Sequence, residues 1–198
     1  MRPTFHAPRA IAPATEMFEN FLAEGGPFRD GDSIQLSWMW LKVVQQGDGL
    51  SIHAPRPKSM PMEFQPDCSD ALMLTLTQRY LCDSFGVAAS PCNASQAALV
   101  VKDLNRCQKV FMNRLGPEEA SDSGWYFDSP ESQLDANDPD SLEYLSLWEL
   151  AGRYPLALDF FLLPTDWQVA LQAAPTVLQN FKPVAARPNS YYALRYPG

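Results

Sequence analysis

Histidine is nearly absent from this chain: two residues, His6 and His53, in 198. Cysteine is sparse as well. Cys68, Cys82, Cys92 and Cys107 are widely spaced, and no Cys-x-x-Cys pair occurs. A zinc site needs Cys and His at short, paired spacings, so a zinc centre is not expected. Neither the glycine-rich dinucleotide turn nor the phosphate-binding loop is present, and Ser123 before Gly124 does not form a Gly-x-Ser-x-Gly elbow. No cofactor and no metal is implied. No apolar run approaches the roughly 20 residues of a membrane span, and the N-terminal MRPTFHAPRAIAPATEMF lacks the apolar core of a secretory leader. The expectation is a cytoplasmic protein with reduced thiols and no membrane partner.

Basic residues are missing from one long window. Residues 115–152 hold ten acids and no Lys or Arg. The formal net charge is −8, so the remainder of the chain sums to about +2 and the acidity is local. Such a surface repels phosphate, which argues against nucleic acid as a partner. Three readings of the window compete with a plain solvated face: a metal, a catalytic carboxylate pair, or a basic protein partner. The run Asp135-Ala136-Asn137-Asp138-Pro139-Asp140 is a poor calcium loop, because Pro139 takes a ligand slot and the glycine is missing. Helix capping accounts for Asp138 and Asp140, with Pro139 at the first helical position. A carboxylate pair acting as a hydrolase needs two groups across a cleft, which spacing alone does not establish.

The hydrophobic pattern predicts α+β architecture with two small subdomains, each a mainly antiparallel sheet packed with helices. Residues 1–14 read as a tail. In the N-terminal subdomain, 15–96, a helix is expected near 15–24 with Met17, Phe18, Phe21 and Leu22 as its stripe. A single strand is expected over 33–45, its Trp38 and Trp40 on the Ile34–Leu36 face, turning at Gln46-Gly47-Asp48-Gly49 into a return strand over 50–55. A helix follows from Ser69 to Phe85, stopped by Gly86, and the link between subdomains is placed at 86–97. In the second subdomain, 97–172, strands over 98–103 and 109–115 are expected to pair with each other. Gly124–Phe127 reads as a third strand, a helix starts at Asp138, and Trp167–Leu171 reads as the last strand. Trp125 and Trp148 are expected in that core. Residues 173–198 read as an irregular extension.

The order strand, strand, Asp122-Ser123-Gly124-Trp125, Asn137-Asp138-Pro139, apolar helix, Leu163-Pro164 and final strand resembles the bacterial immunity protein 33 domain, over about residues 97–172. Where that family carries Phe-Glu after the Leu-Pro, this chain has Asp166-Trp167-Gln168. The resemblance implies a non-enzymatic immunity protein that binds and neutralises a cognate antibacterial toxin, in systems that include type VI secretion effector–immunity pairs. The acidity favours a toxin with a basic surface, such as a nuclease, whose cleft holds phosphates. Glu118, Glu119, Asp128, Glu131 and Asp135 are the residues expected to meet it. Asp122, Ser123, Gly124 and Trp125, with Asn137, Asp138 and Pro139, are expected to shape the loop. The rival readings are a hydrolase acting through acids of the 118–143 loop and a non-catalytic regulatory or scaffold domain.

Overall fold

The computed structural model describes residues 2–197. The chain divides into two compact units, Met1–Thr77 and Gln78–Gly198.

The first unit opens on an arm whose Thr4 and His6 form isolated parallel bridges to Ser51 and Asp67. Helix α1 spans Ala12–Glu24 and buries Ala14, Phe18 and Leu22, a stripe spaced by four residues, while Phe21 of the expected stripe lies 39% exposed. The expected single strand over 33–45 is broken. Strand β1 covers Ser33–Leu36 and β2 covers Met39–Gln46, folded back on each other with Leu36 opposite Met39. Ser37 makes the turn at φ 57°, so the alternation restarts and Met39, Leu41 and Val43 join Ile34 and Leu36 in the core. Strand β3, Gly49–Pro55, returns through the Gly47-Asp48 turn, with Gln46 opposite Gly49 and Gly47 at φ 58°. Strand β4, Phe64–Gln65, completes an antiparallel sheet of four. Asp67 accepts the Ser69 N–H at 2.9 Å and an Arg9 guanidinium N–H at 3.0 Å. It thereby fixes the start of helix α2, Ser69–Phe85, whose length carries it from the first unit into the second.

The second unit begins with the rest of α2; residues 86–96 then form neither helix nor strand. Strands β5 (Ala97–Val101), β6 (Val110–Arg114), β7 (Asp122–Asp128), β8 (Leu142–Ser146), β9 (Trp167–Leu171), β10 (Thr176–Gln179) and β11 (Lys182–Pro183) form one mixed sheet in the order β11-β10-β9-β6-β7-β5-β8. The fold is therefore α+β with two sheets, as the hydrophobic pattern indicated. The expected β5–β6 pair does not form. Strand β7 lies between them, parallel to β5 and antiparallel to β6. The helix expected from Asp138 is only a 3-10 turn at Pro139–Ser141. Leu142–Ser146 then pairs with β5 along its full length, and helix α3, Leu147–Arg153, begins after it. Its start is set by a capping box, in which Ser146 Oγ accepts the Glu149 N–H and the Glu149 carboxylate accepts the Ser146 N–H at 2.9 Å.

One face of this sheet is packed. Trp125, Phe127, Met112, Arg114, Trp167 and Val169 are all buried there. Against them lies the run Phe160–Leu163, which follows a 3-10 helix at Pro155–Phe160. The carbonyl of Phe161 accepts from Trp125 Nε1 at 3.2 Å and from Arg114 Nη1 at 3.1 Å, and the Arg114 guanidinium sits 5.2 Å from the Trp125 ring. Trp148 is half-buried. Residues 173–198, expected to be irregular, supply β10, β11 and helix α4, Tyr191–Arg195. Pro175 and Pro188 lie between these short elements, and the β10–β11 hairpin closes on two left-handed residues, Asn180 and Phe181.

Candidate functional site: a bulge, a cleft and an acidic loop

The signature Asp122-Ser123-Gly124-Trp125 opens β7 and interrupts it at once. Ala97 of β5 faces Asp122, yet Leu99 faces Tyr126, so two residues of β5 span four of β7. The surplus bulges at Ser123-Gly124. Asp122 stabilises the bulge with both carboxylate oxygens, accepting the Gly124 N–H at 2.7 Å and the Glu118 N–H at 3.0 Å. Ser123 Oγ accepts the Trp125 N–H at 3.1 Å. Gly124 holds φ 72°, and a Cβ there would sit 2.3 Å from the Leu115 carbonyl oxygen. Only glycine combines that backbone with that approach. The bulge thus ties the 115–122 loop to the sheet and displays Glu118 and Glu119 on it.

Beside the bulge lies an open cleft of about 370 Å³. Glu118, Glu119 and Asp122 form its acidic lip, and Leu99, Leu115, Tyr126 and Tyr144 its apolar walls. Among the described residues no Lys or Arg lines it. Leu115 and Tyr144 are 48% and 73% exposed. The cleft lies on the half-exposed face of the sheet, opposite the packed one. Burial, with the Asp128 charge beside it, raises the Tyr126 phenol to about 12, so it stays neutral.

Several other acids of the window are occupied by hydrogen bonds. Glu131 accepts the Gln108 and Lys109 N–H groups at 2.7 and 3.1 Å, and these bonds hold its pKa below the usual carboxylate value. Asp135 accepts from Asn137 N–H and Nδ2 at 2.9 and 3.0 Å, with the same effect. Asp138 accepts the Asp140 N–H at 3.0 Å and Asp128 the Ser129 N–H at 2.6 Å. Asp103, which the sequence did not single out, accepts Ser132 Oγ and the Gln133 N–H at 2.7 and 3.1 Å. A segment without helix or ladder must satisfy its N–H groups locally, and here short acidic side chains do so. The Glu119 carboxylate accepts from the neighbouring Ser121 hydroxyl, at 2.5 Å, and stays exposed, as does Glu118.

A family model described as an Imm33-like domain matches residues 77–180. This chain belongs to the Imm33-like family. No curated protein and no solved structure matches it.

The Imm33-like match takes in the bulge, the cleft and the acidic loop. It also includes Gln168. Its amide Nε2 donates to Asn113 Oδ1 and to the Asp166 carbonyl, both at 3.0 Å, while Oε1 accepts the Phe181 N–H at 2.8 Å. A carboxylate could not make the two donations. Two residues of the cleft depart from the sequence expectation. Tyr144 lies on β8, beyond the helix start expected at Asp138, and Leu99 lies on β5, which pairs with β7 and β8 and not with β6. The signal that would have exposed Tyr144 is Ser146-x-x-Glu149, a helix cap two residues beyond it. Among the described residues no group of three or more His, Cys, Asp or Glu is placed to hold a metal ion, and no helix is long and apolar enough to cross a membrane.

Proposed function

We propose that this protein is an immunity protein that binds a cognate antibacterial toxin directly and neutralises it. The observation that carries the reading is the cleft beside the Ser123-Gly124 bulge. It joins exposed carboxylates without a basic neighbour to exposed apolar walls, on a scaffold built to hold it open. Apolar walls ringed by charge of one sign suit protein contact better than solvation alone. Family membership supports a toxin as the partner. The charge supports a toxin with a basic surface, for which a nuclease is the leading class, because a phosphate-binding cleft is itself basic. Glu118 and Glu119 steer and seat it, and Tyr144, Leu99 and Leu115 provide the contact that excludes water. Glu131, Asp135 and Asp138 shape the loop from within. A binding role also fits Asp122 better than a catalytic one, because both of its oxygens already hold backbone N–H groups.

The test is co-expression in bacteria with the product of the neighbouring gene. Expression of that product alone should arrest growth, the full chain should restore it, and the two should co-purify. A neighbour that is harmless, or harmful but neither bound nor relieved, overturns the reading.

A further inference from the structure

The large sheet ends at two edges of very different character. At one end β11 is two residues long, Lys182-Pro183, and both of its residues are edge-blocking types. At the other end β8 is five residues long and has neither Lys nor Pro. The direction of its backbone groups follows from the bonds that flank it. Lys102 N–H donates to the Ser141 carbonyl, and Leu147 N–H to the Gln96 carbonyl, at 3.0 and 2.9 Å. In antiparallel register with β5, Glu143 and Leu145 therefore bond inward, and Leu142, Tyr144 and Ser146 present their backbone outward. The outward N–H of Leu142 is taken by the Pro139 carbonyl and that of Ser146 by Glu149. Tyr144 is left, with N–H and C=O on the open edge and the residue 73% exposed. The 3-10 turn and α3 flank the open stretch and keep it short.

We propose that β8 receives an extended segment of the toxin as an added strand, paired through the backbone of Tyr144. This rests on the toxin-binding reading and specifies how the partner docks. Tyr144 is also a wall of the acid-lipped cleft, so pairing there brings the rest of the same partner over Glu118 and Glu119. The charge identifies the occupant as a basic segment, since no Lys or Arg lines the cleft to repel it. Strand addition draws affinity from main-chain bonds and specificity from the side chains beside them, and the cleft supplies the second part.

The experiment uses the full chain and the full-length product of the neighbouring gene. Tyr144→Pro removes the outward N–H and leaves the inward bonds of Glu143 and Leu145 in place; Tyr144→Val keeps the N–H and removes the ring. The expected result is a melting temperature close to wild type for both, with binding weakened about tenfold or more by proline and clearly less by valine. In parallel, amide exchange at Tyr144 should slow on complex formation. Equal losses from the two variants, full binding by Tyr144→Pro, or an amide that exchanges as fast in the complex as in the free protein each overturn strand addition while leaving toxin binding intact. If proline disrupts folding, the exchange measurement on the wild type decides alone. Wild-type protein that does not bind overturns the functional reading and this inference together.

Discussion

Gly124→Ala is the sharpest test of the bulge. The φ of 72° is unfavourable for any residue with a Cβ, at about 1–2 kcal/mol. The new methyl would also lie 2.3 Å from the Leu115 carbonyl oxygen and 3.0 Å from the Pro117 nitrogen. Both are backbone atoms, so the 115–117 segment must move. Moving it strains or breaks the 2.6 Å hydrogen bond from Leu115 N–H to the Gly124 carbonyl, worth about 1 kcal/mol. The sum is about 3 kcal/mol, or a melting shift of about 6–12 °C for a chain of this size. Fluorescence of the buried Trp125 and circular dichroism during thermal unfolding measure it. Gly116→Ala is the matched control, since nothing lies within 4 Å of a Cβ there, and it should stay within about 0.5 kcal/mol of wild type. If Gly124→Ala melts as Gly116→Ala does, the bulge does not require glycine and the argument from close approach is wrong.

Asp122→Ala removes the acceptor of two backbone N–H groups and should cost about 2 kcal/mol in urea unfolding, with Asp122→Asn recovering part of it. Ser146→Ala should cost about 1 kcal/mol through loss of the α3 cap, read in the same way. Glu118→Lys combined with Glu119→Lys should leave melting unchanged and slow association with the neighbouring gene product, with the difference shrinking as salt rises; an on-rate indifferent to salt removes these charges from the mechanism. Glu131 is excluded from that variant because it holds the Gln108 and Lys109 N–H groups. Asp67 is held at about 2, against an ordinary 3.8, chiefly by its hydrogen bonds from Ser69, with Arg9 adding to them. A lowered carboxylate stabilises fully above its unfolded value, so its contribution should be complete above about pH 4 and fade between about pH 4 and 2. Acid unfolding of Asp67→Asn should show a shallower loss over that window.

The hairpin of β2 and β3 was legible because alternation and the Gly47-Asp48 turn are local signals. So was α2, whose apolar spacing and terminal Gly86 agree. The β5–β7 pairing was not. Two consecutive apolar strands read naturally as neighbours, and only the distant Trp125 and Phe127, competing for the same packed face, place β7 between them. Strand β8 was hidden for another reason. Leu142, Leu145 and Trp148 fall three apart, a helical spacing, and Asp138-Pro139 is a sound helix start, so tertiary pairing with β5 had to override both. The acidic window was plain as composition, but composition does not say which carboxylates a loop consumes. Glu131 and Glu119 look alike in sequence, and what separates them is the Gln108 and Lys109 N–H groups, over 20 residues away from Glu131.

The family match stops at residue 180, but the packing continues past it. Asp159, whose side chain is only 8% exposed, is met by Arg195 Nε at 2.9 Å and the Tyr196 hydroxyl at 2.5 Å. Ser84, near the end of α2, accepts the Arg187 N–H with its carbonyl and the Tyr192 N–H with its hydroxyl. A chain cut at residue 180 would keep the whole bulge and cleft, yet strip Asp159 of both partners and Ser84 of the two N–H groups it holds. Family likeness and packing thus draw different borders in this protein: the segment by which it is recognised ends before the compact unit that contains it does.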